Sequence, residues 1–361
     1  MERMKLDKDA GRWAMLGGAI LGGGGGGSSE MGEMLLGKLE ELPPLTLTPL
    51  SEIDPDAIIL SASLVGAPAA KEQYLLPEHM IRSVELFRKM NPDVKLGGIM
   101  TNENGYCATV NGWVQAAACG LPFIDAQCNG RAHPTGVMGS MNLHRDPSYV
   151  TTMTYSGGNP ALGKYVEGIV IGSIDHTSPL IRAASVEAGG VVGVARNPVS
   201  AAHVMKNGAV GGISQSIELG RRYEEGLKVS VEKAVENAVE YLHGDILCRG
   251  TVDDFELRTE GGFDVGVGKV AGNELTFWNE YMTLTRADGS RVATFPDLIM
   301  TIDAKTGRAL TSAYIHGGED IYVIYTNRKN LNLAPTMYDR ELLAPIEGII
   351  GREILKPLGI E

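Results

Sequence analysis

Residues 94–126, VKLGGIMTNENGYCATVNGWVQAAACGLPFIDA, decide the fold. The run VKLGGIM (94–100) reads as a strand buried on both faces. NGWVQAAACG (111–120) reads as a helix that Gly120 stops, and PFIDA (122–126) as the next strand. Strand, helix and strand in one short stretch imply parallel pairing, because a helical crossover returns the chain to the same end of the sheet.

Working upstream, AIILSASLVGAP (57–68) begins as another doubly buried strand, and PEHMIRSVELFRKM (77–90) is an amphipathic helix with Pro77 in its first turn. WAMLGGAILG (13–22) reads as a short buried helix or strand feeding six glycines, Gly22 to Gly27, and MGEMLLGKLEEL (31–42) has helical spacing. Parallel sheets place functional loops at the carboxyl ends of their strands. The loops TNENGYC (101–107) and DAQCNGRAHP (125–134) are therefore expected to open on one edge.

Downstream of about residue 165 the pattern changes. A strand and a helix follow, then helices over 198–208 and around Val231, Val235, Ala238 and Leu242. From about 246 to 326 strands alternate with Gly turns, including the hairpin signal ADGS (287–290), and RELLAPIEGIIGREIL (340–355) is helical again. The expectation is an α/β protein of two domains. Residues 1–165 form a mainly parallel sheet domain with the Gly-rich and motif loops. Residues 166–361 form an α+β domain, β-rich over about 246–326.

The chain has 361 residues, 43% hydrophobic and 21% charged, with a net charge of −12, which disfavours nucleic acid as a partner. No apolar run is long enough to span a membrane. The apolar N-terminal run follows acids and lacks a cleavage pattern, so it is not read as a signal peptide. Cys107, Cys119, Cys128 and Cys248 are too few and too uneven for a disulfide framework, so a cytoplasmic protein with free thiols is expected.

The motif loops carry the chemistry. Cys128 and His133 are both zinc-ligand types within one loop, and Cys107 falls on the same expected edge; three protein ligands with an open position are the catalytic zinc pattern. Cysteines also pack as small hydrophobes, so the spacing leaves both readings open. Glu103 and Asp125 end strands and are candidate general bases or partners of a ligand histidine. Arg131 suits a grip on a carboxylate or a salt bridge within the loop. His176 and His316 sit in polar loops, where either binding or plain exposure is open. The hexaglycine lacks the Lys-Ser/Thr of a phosphate-binding loop. It reads as a tight turn or close backbone approach, or as an anion cradle from Gly25, Gly26 and Ser28.

In order along the chain, AILGGGGGGSSEMG (19–32), TNENG (101–105), the DAxxxGRAxP segment (125–134) and DLIMTIDAKTGRAL (297–310) resemble the thiohydantoin and S-methyl-thiohydantoin desulfurase family. The resemblance spans nearly the whole chain, and GRAxP is its most specific part. Relatives read DADGMGRAFPE where this chain reads DAQCNGRAHPT, so Cys128 and His133 replace a glycine and a phenylalanine. That departure resembles the zinc-dependent branch of the family that acts in ergothioneine breakdown on a thiohydantoin with a propionate tail.

The resemblance implies an enzyme that replaces C=S by C=O and releases hydrogen sulfide, with Zn2+ held by Cys107, Cys128 and His133. Glu103 or Asp125 would move protons. Arg131 or the glycine loop would hold the propionate, with Asn104, His176 and His316 lining the substrate. A small-molecule thiohydantoin is the expected partner, in a homo-oligomer without nucleic acid or membrane. Two other readings stay open: a metal-free hydrolase with Cys128 as nucleophile activated by His133, and a nucleotide- or small-molecule-binding module built on the glycine loop.

Overall fold

The structure is a computed structural model that describes residues 3–66, 72–260 and 263–360. The decisive stretch folds as expected. In the first layer β1 (Met4–Leu6), α1 (Lys8–Leu21), α2 (Ser29–Leu39), β2 (Leu45–Thr48) and β3 (Ile58–Gly66) lead into α3 (Pro77–Met90) and β4 (Leu96–Thr101). Then come α4 (Tyr106–Val110), α5 (Trp113–Cys119) and β5 (Phe123–Gln127). Strands β2, β5, β4 and β3 lie side by side and pair in parallel. Every residue of β5 is buried, which explains its unbroken apolar start. Helix α3 covers the sheet with Met80, Val84 and Phe87, the stripe its spacing predicts.

The sheet does not stop at residue 165. It continues through β6 (Thr151–Gly157), β7 (Val166–Gly172), α6 (Ile174–Glu187), β8 (Val191–Ser200), α7 (Ala201–Asn207) and β9 (Ala209–Val210). Strand β8 pairs antiparallel with β3, β6 pairs with β8, and β7 takes the edge of a nine-stranded sheet. Residues 166–210, which the sequence reading assigns to the second domain, thus add strands to the sheet of the first layer. Antiparallel strands satisfy the open backbone edge of β3, which could not stay unpaired in a buried setting.

Helices α8 (Gly212–Leu227) and α9 (Val231–Tyr241) then lead to an eight-stranded antiparallel sheet. Its strands are β10 (Asp245–Glu260), β11 (Phe263–Val270), β12 (Asn273–Trp278), β13 (Glu280–Thr285), β14 (Arg291–Thr294), β15 (Leu298–Asp303), β16 (Ala309–Leu310) and β17 (Asp320–Thr326). ADGS joins β13 to β14 as the hairpin signal predicts. Helices α10 (Arg340–Ile350) and α11 (Leu355–Leu358) close the chain; Gly351, with positive φ, ends α10 and splits the single helix expected there.

The two layers share a core. Ile20 and Leu21 at the end of α1, Leu219 and Tyr223 of α8, and one face of α9 pack against the second sheet. Helices α1 and α8 cross at main-chain contact: a side chain at Gly17 would overlap the Ser216 carbonyl, and one at Gly220 that of Trp13. The glycine loop is consequently held at the seam, where Tyr281 N–H donates to the Gly23 carbonyl (2.9 Å) and Ser312 N–H to that of Gly24 (3.0 Å). Among the described residues no helix is long and apolar enough to cross a membrane.

Candidate active site

The loops after β4 and β5 meet at the seam, as the parallel order requires. Cys128 N–H donates to the Asn102 carbonyl (3.0 Å), tying one loop to the other. Above this tie, His133 Nε2 lies 3.1 Å from Glu103 Oε2 and 3.1 Å from Asn102 Nδ2. His133 Nδ1 donates to the Thr135 carbonyl (2.6 Å), because a carbonyl can only accept. Nε2 therefore carries the lone pair that faces Glu103 and Asn102.

The electrostatics follow from burial. Desolvation lowers the His133 pKa to about 3, helped by the Arg196 and Arg131 charges, so this imidazole is neutral at ordinary pH. Desolvation raises Glu103 to about 7 against the opposing pull of Arg196. Its side chain still keeps 23% of its surface accessible, against 3% for His133, so water reaches the carboxyl and limits the shift. An acid that changes charge near neutrality beside a neutral imidazole is a proton-handling pair.

The thiols do not join it. Cys128 is fully buried and donates to Ser61 Oγ (3.2 Å), and burial pushes its pKa up to about 11. Cys107 lies against the glycine loop, near the Gly26 carbonyl and where a side chain at Gly27 would sit; burial pushes it up to about 12. Among the described residues no three His, Cys, Asp or Glu side chains are grouped to hold a metal ion. The donor set expected for zinc, Cys107, Cys128 and His133, thus does not fit a shared ion as it stands: each side chain is engaged with a different neighbour.

Other expected site residues take structural roles. Asp125 is 3% exposed and accepts from Ser214 N–H (3.1 Å) and from its hydroxyl, so it caps the start of α8. Asn104 is saturated: Nδ2 donates to the Gly130 carbonyl (2.8 Å), and Oδ1 accepts from Thr109, Gln127 and Ser216. Ser28 caps α2 by accepting from Met31 N–H (3.3 Å). His176 and His316 are exposed, on α6 and before β17, without a hydrogen bond or ion pair to Glu103 or His133 among the described residues.

Arg131 also departs from expectation. It is fully buried, Nη1 donates to the Pro296 (3.1 Å) and Asp297 (2.7 Å) carbonyls, and its guanidinium lies 4.6 Å from the centre of the Phe295 ring. Its charge faces buried Glu280, whose pKa burial raises well above the usual range. Through Nη1 it therefore clamps the two layers, while Nε and Nη2 are buried without a hydrogen-bond partner. The glycine loop is shaped around this pair: side chains at Gly23, Gly24 and Gly25 would run into Arg131 Nη2, the Tyr281 ring and Glu280 Oε1. Close approach is thus the reading the loop supports, and an anion at Gly25 would meet the Glu280 carboxyl.

Sequence reasoning missed Asn102, Arg196 and Glu280. Arg196, 6% exposed on β8, donates from Nη2 to Asn102 Oδ1 (3.0 Å), extending the chain Arg196–Asn102–His133. A legible signal existed: Arg196 interrupts the apolar run GVVGVARNPV, and Glu280 the run LTFWNEYMTL. A charge inside a buried strand is costly unless it is used.

Comparison with known proteins divides the chain in sequence between residues 163 and 173, although the first sheet runs across that point. The model for the N-terminal domain of the family described as S-Me-THD-like matches residues 11–163, and that for its C-terminal domain matches residues 173–335. Among solved structures the chain is similar to a protein from Chromobacterium violaceum known from an X-ray crystal structure, at 20% identity and a TM-score of 0.74. The match covers 99% of this chain and 97% of that one, and shows the shared fold. No curated protein matches. The chain belongs to the S-Me-THD-like family, the S-methyl-thiohydantoin desulfurase family its motifs resemble.

Proposed function

We propose that this member of the S-Me-THD-like family is a hydrolytic thiohydantoin desulfurase, converting a ring C=S to C=O with release of hydrogen sulfide. The family supports desulfurase-like action on a thiohydantoin. The observation that carries the hydrolytic reading is Glu103: a partly accessible carboxyl, raised to about 7, held 3.1 Å from a neutral imidazole.

Ionised Glu103 takes a proton from water as its oxygen adds to the thiocarbonyl carbon, and the C=S electron pair moves onto sulfur. The protonated carboxyl returns that proton to sulfur. Glu103 then takes the hydroxyl proton as the C–S bond breaks, C=O forms and HS− leaves. Overall, water and C=S give C=O, HS− and one proton. His133 positions the acid form of Glu103 by accepting its proton at Nε2, and Asn102 holds both groups through its amide (3.4 Å to Glu103 Oε2).

This reading routes no step through zinc, since the expected donors do not converge. A Cys128 nucleophile is less favoured because its thiol is held protonated by burial and is bonded to Ser61, not to His133. Place in ergothioneine breakdown would follow if the substrate carries a propionate tail. Sulfide release from such a thiohydantoin, in water labelled with oxygen-18, tests the proposal: the label should enter the product carbonyl. Sulfide-free incubations, or unlabelled product, would defeat it.

A further inference from the structure

Arg196 is a buried cation whose charge is favoured by Glu103 and Cys128 rather than by a direct ion pair. It is 6% exposed, yet among the described residues no carboxylate comes within ion-pair distance of it. Nη2 donates to Asn102, and Nε is buried with no hydrogen-bond partner. Nη1 faces Gly136, where a Cβ would meet nothing closer than this nitrogen, at 3.7 Å. The Cβ position at Gly136 is therefore otherwise open, and Thr135, Gly136 and Val137 there are only half-buried. Arg182 on α6 adds a second positive charge that Arg196 feels. An arginine held this way, tied at one nitrogen and open at another, can accept an anion.

Resting on the desulfurase reading above, we infer that Arg196 is a specificity-determining residue that receives a carboxylate substituent of the substrate over Gly136. The carboxylate accepts from Nη1, and its bond through Asn102 to His133 fixes the acid tail relative to the reacting carbon at Glu103. Arg131, the arginine the sequence motif suggested for this role, is fully buried between the layers with Nη2 against Gly23.

The experiment measures binding of two oxygen analogues by calorimetry: a hydantoin with a carboxylate tail and its carboxamide. Neither can release sulfide, so binding reads out independently of turnover. The wild type should bind the acid more tightly, and Arg196→Gln should weaken the acid by roughly 10- to 100-fold while leaving the amide nearly unchanged. Gly136→Val keeps Arg196 and its bond to Asn102 but fills the space, and should reproduce the acid-selective loss should Arg196→Gln fold poorly. Equal losses on acid and amide, no binding of the acid by the wild type, or Gly136→Val binding the acid normally would each overturn the assignment. Acid-selective binding without sulfide release from the matching thiohydantoin would instead overturn desulfurisation and leave the role of Arg196 standing.

Discussion

Glu103→Gln separates the chemistry of the carboxyl from its cost to the fold. In the folded protein the acid holds its proton to about pH 7, against an ordinary value of 4.5. Below pH 4.5 both folded and unfolded chains are protonated there, and nothing is lost. As pH rises from 4.5, the unfolded chain ionises first while the folded one cannot, so the folded state loses stability until about pH 7. That gap is worth about 3.4 kcal/mol at about 1.4 kcal/mol per pH unit. Solvent access to 23% of the side chain brings the working expectation to about 2–3 kcal/mol. Glutamine mimics the protonated acid, since its amide can still donate to His133 Nε2. Urea unfolding followed by far-UV circular dichroism from pH 4.5 to 8 should therefore show the wild type losing about 2–3 kcal/mol relative to the variant. Glu280 and Asp125 are also raised by burial, but they remain in both proteins and largely cancel. Sulfide release should fall by about 10²–10⁴-fold in the variant, and the wild-type rate should rise with pH through about 7. Parallel stability curves would refute the raised pKa, and with it the proton-handling role.

Arg131→Ala should act on stability before substrate affinity, costing about 3–5 kcal/mol in unfolding because the Pro296 and Asp297 carbonyls lose a charged donor and a large buried side chain is removed. A raised KM at unchanged stability would return Arg131 to the substrate. Cys128→Ser should match the wild type in metal content measured by plasma mass spectrometry, because the thiol is engaged with Ser61; loss of bound zinc would show that the loop closes around an ion. Gly23→Ala places a side chain at φ +61° against Arg131 Nη2 and should lower the melting temperature. Gly37→Ala, in open space on α2, should raise stability by about 0.5–1 kcal/mol, and a destabilised Gly37→Ala would contradict the exposure of that helix face.

The sequence by itself determined the parallel centre of the first sheet, the antiparallel character of the second and the meeting of the two motif loops. Each rests on local periodicity: doubly buried strands and a Gly-stopped helix over 94–126, and Gly-punctuated strands after 246. It also brought Glu103 and His133 into one candidate site, because both follow strands of one parallel set. Only the tertiary structure decided what each polar group faces. Asp125 met a helix start, Asn104 the distant Ser216, Arg131 two carbonyls and Cys128 a serine, and none of those partners lies near them in the chain. Strand β8 brought Arg196 to the site by pairing with β3 from far along the sequence. Periodicity records which side of an element is buried; the partner of a buried charge is set by long-range pairing, which leaves no local trace.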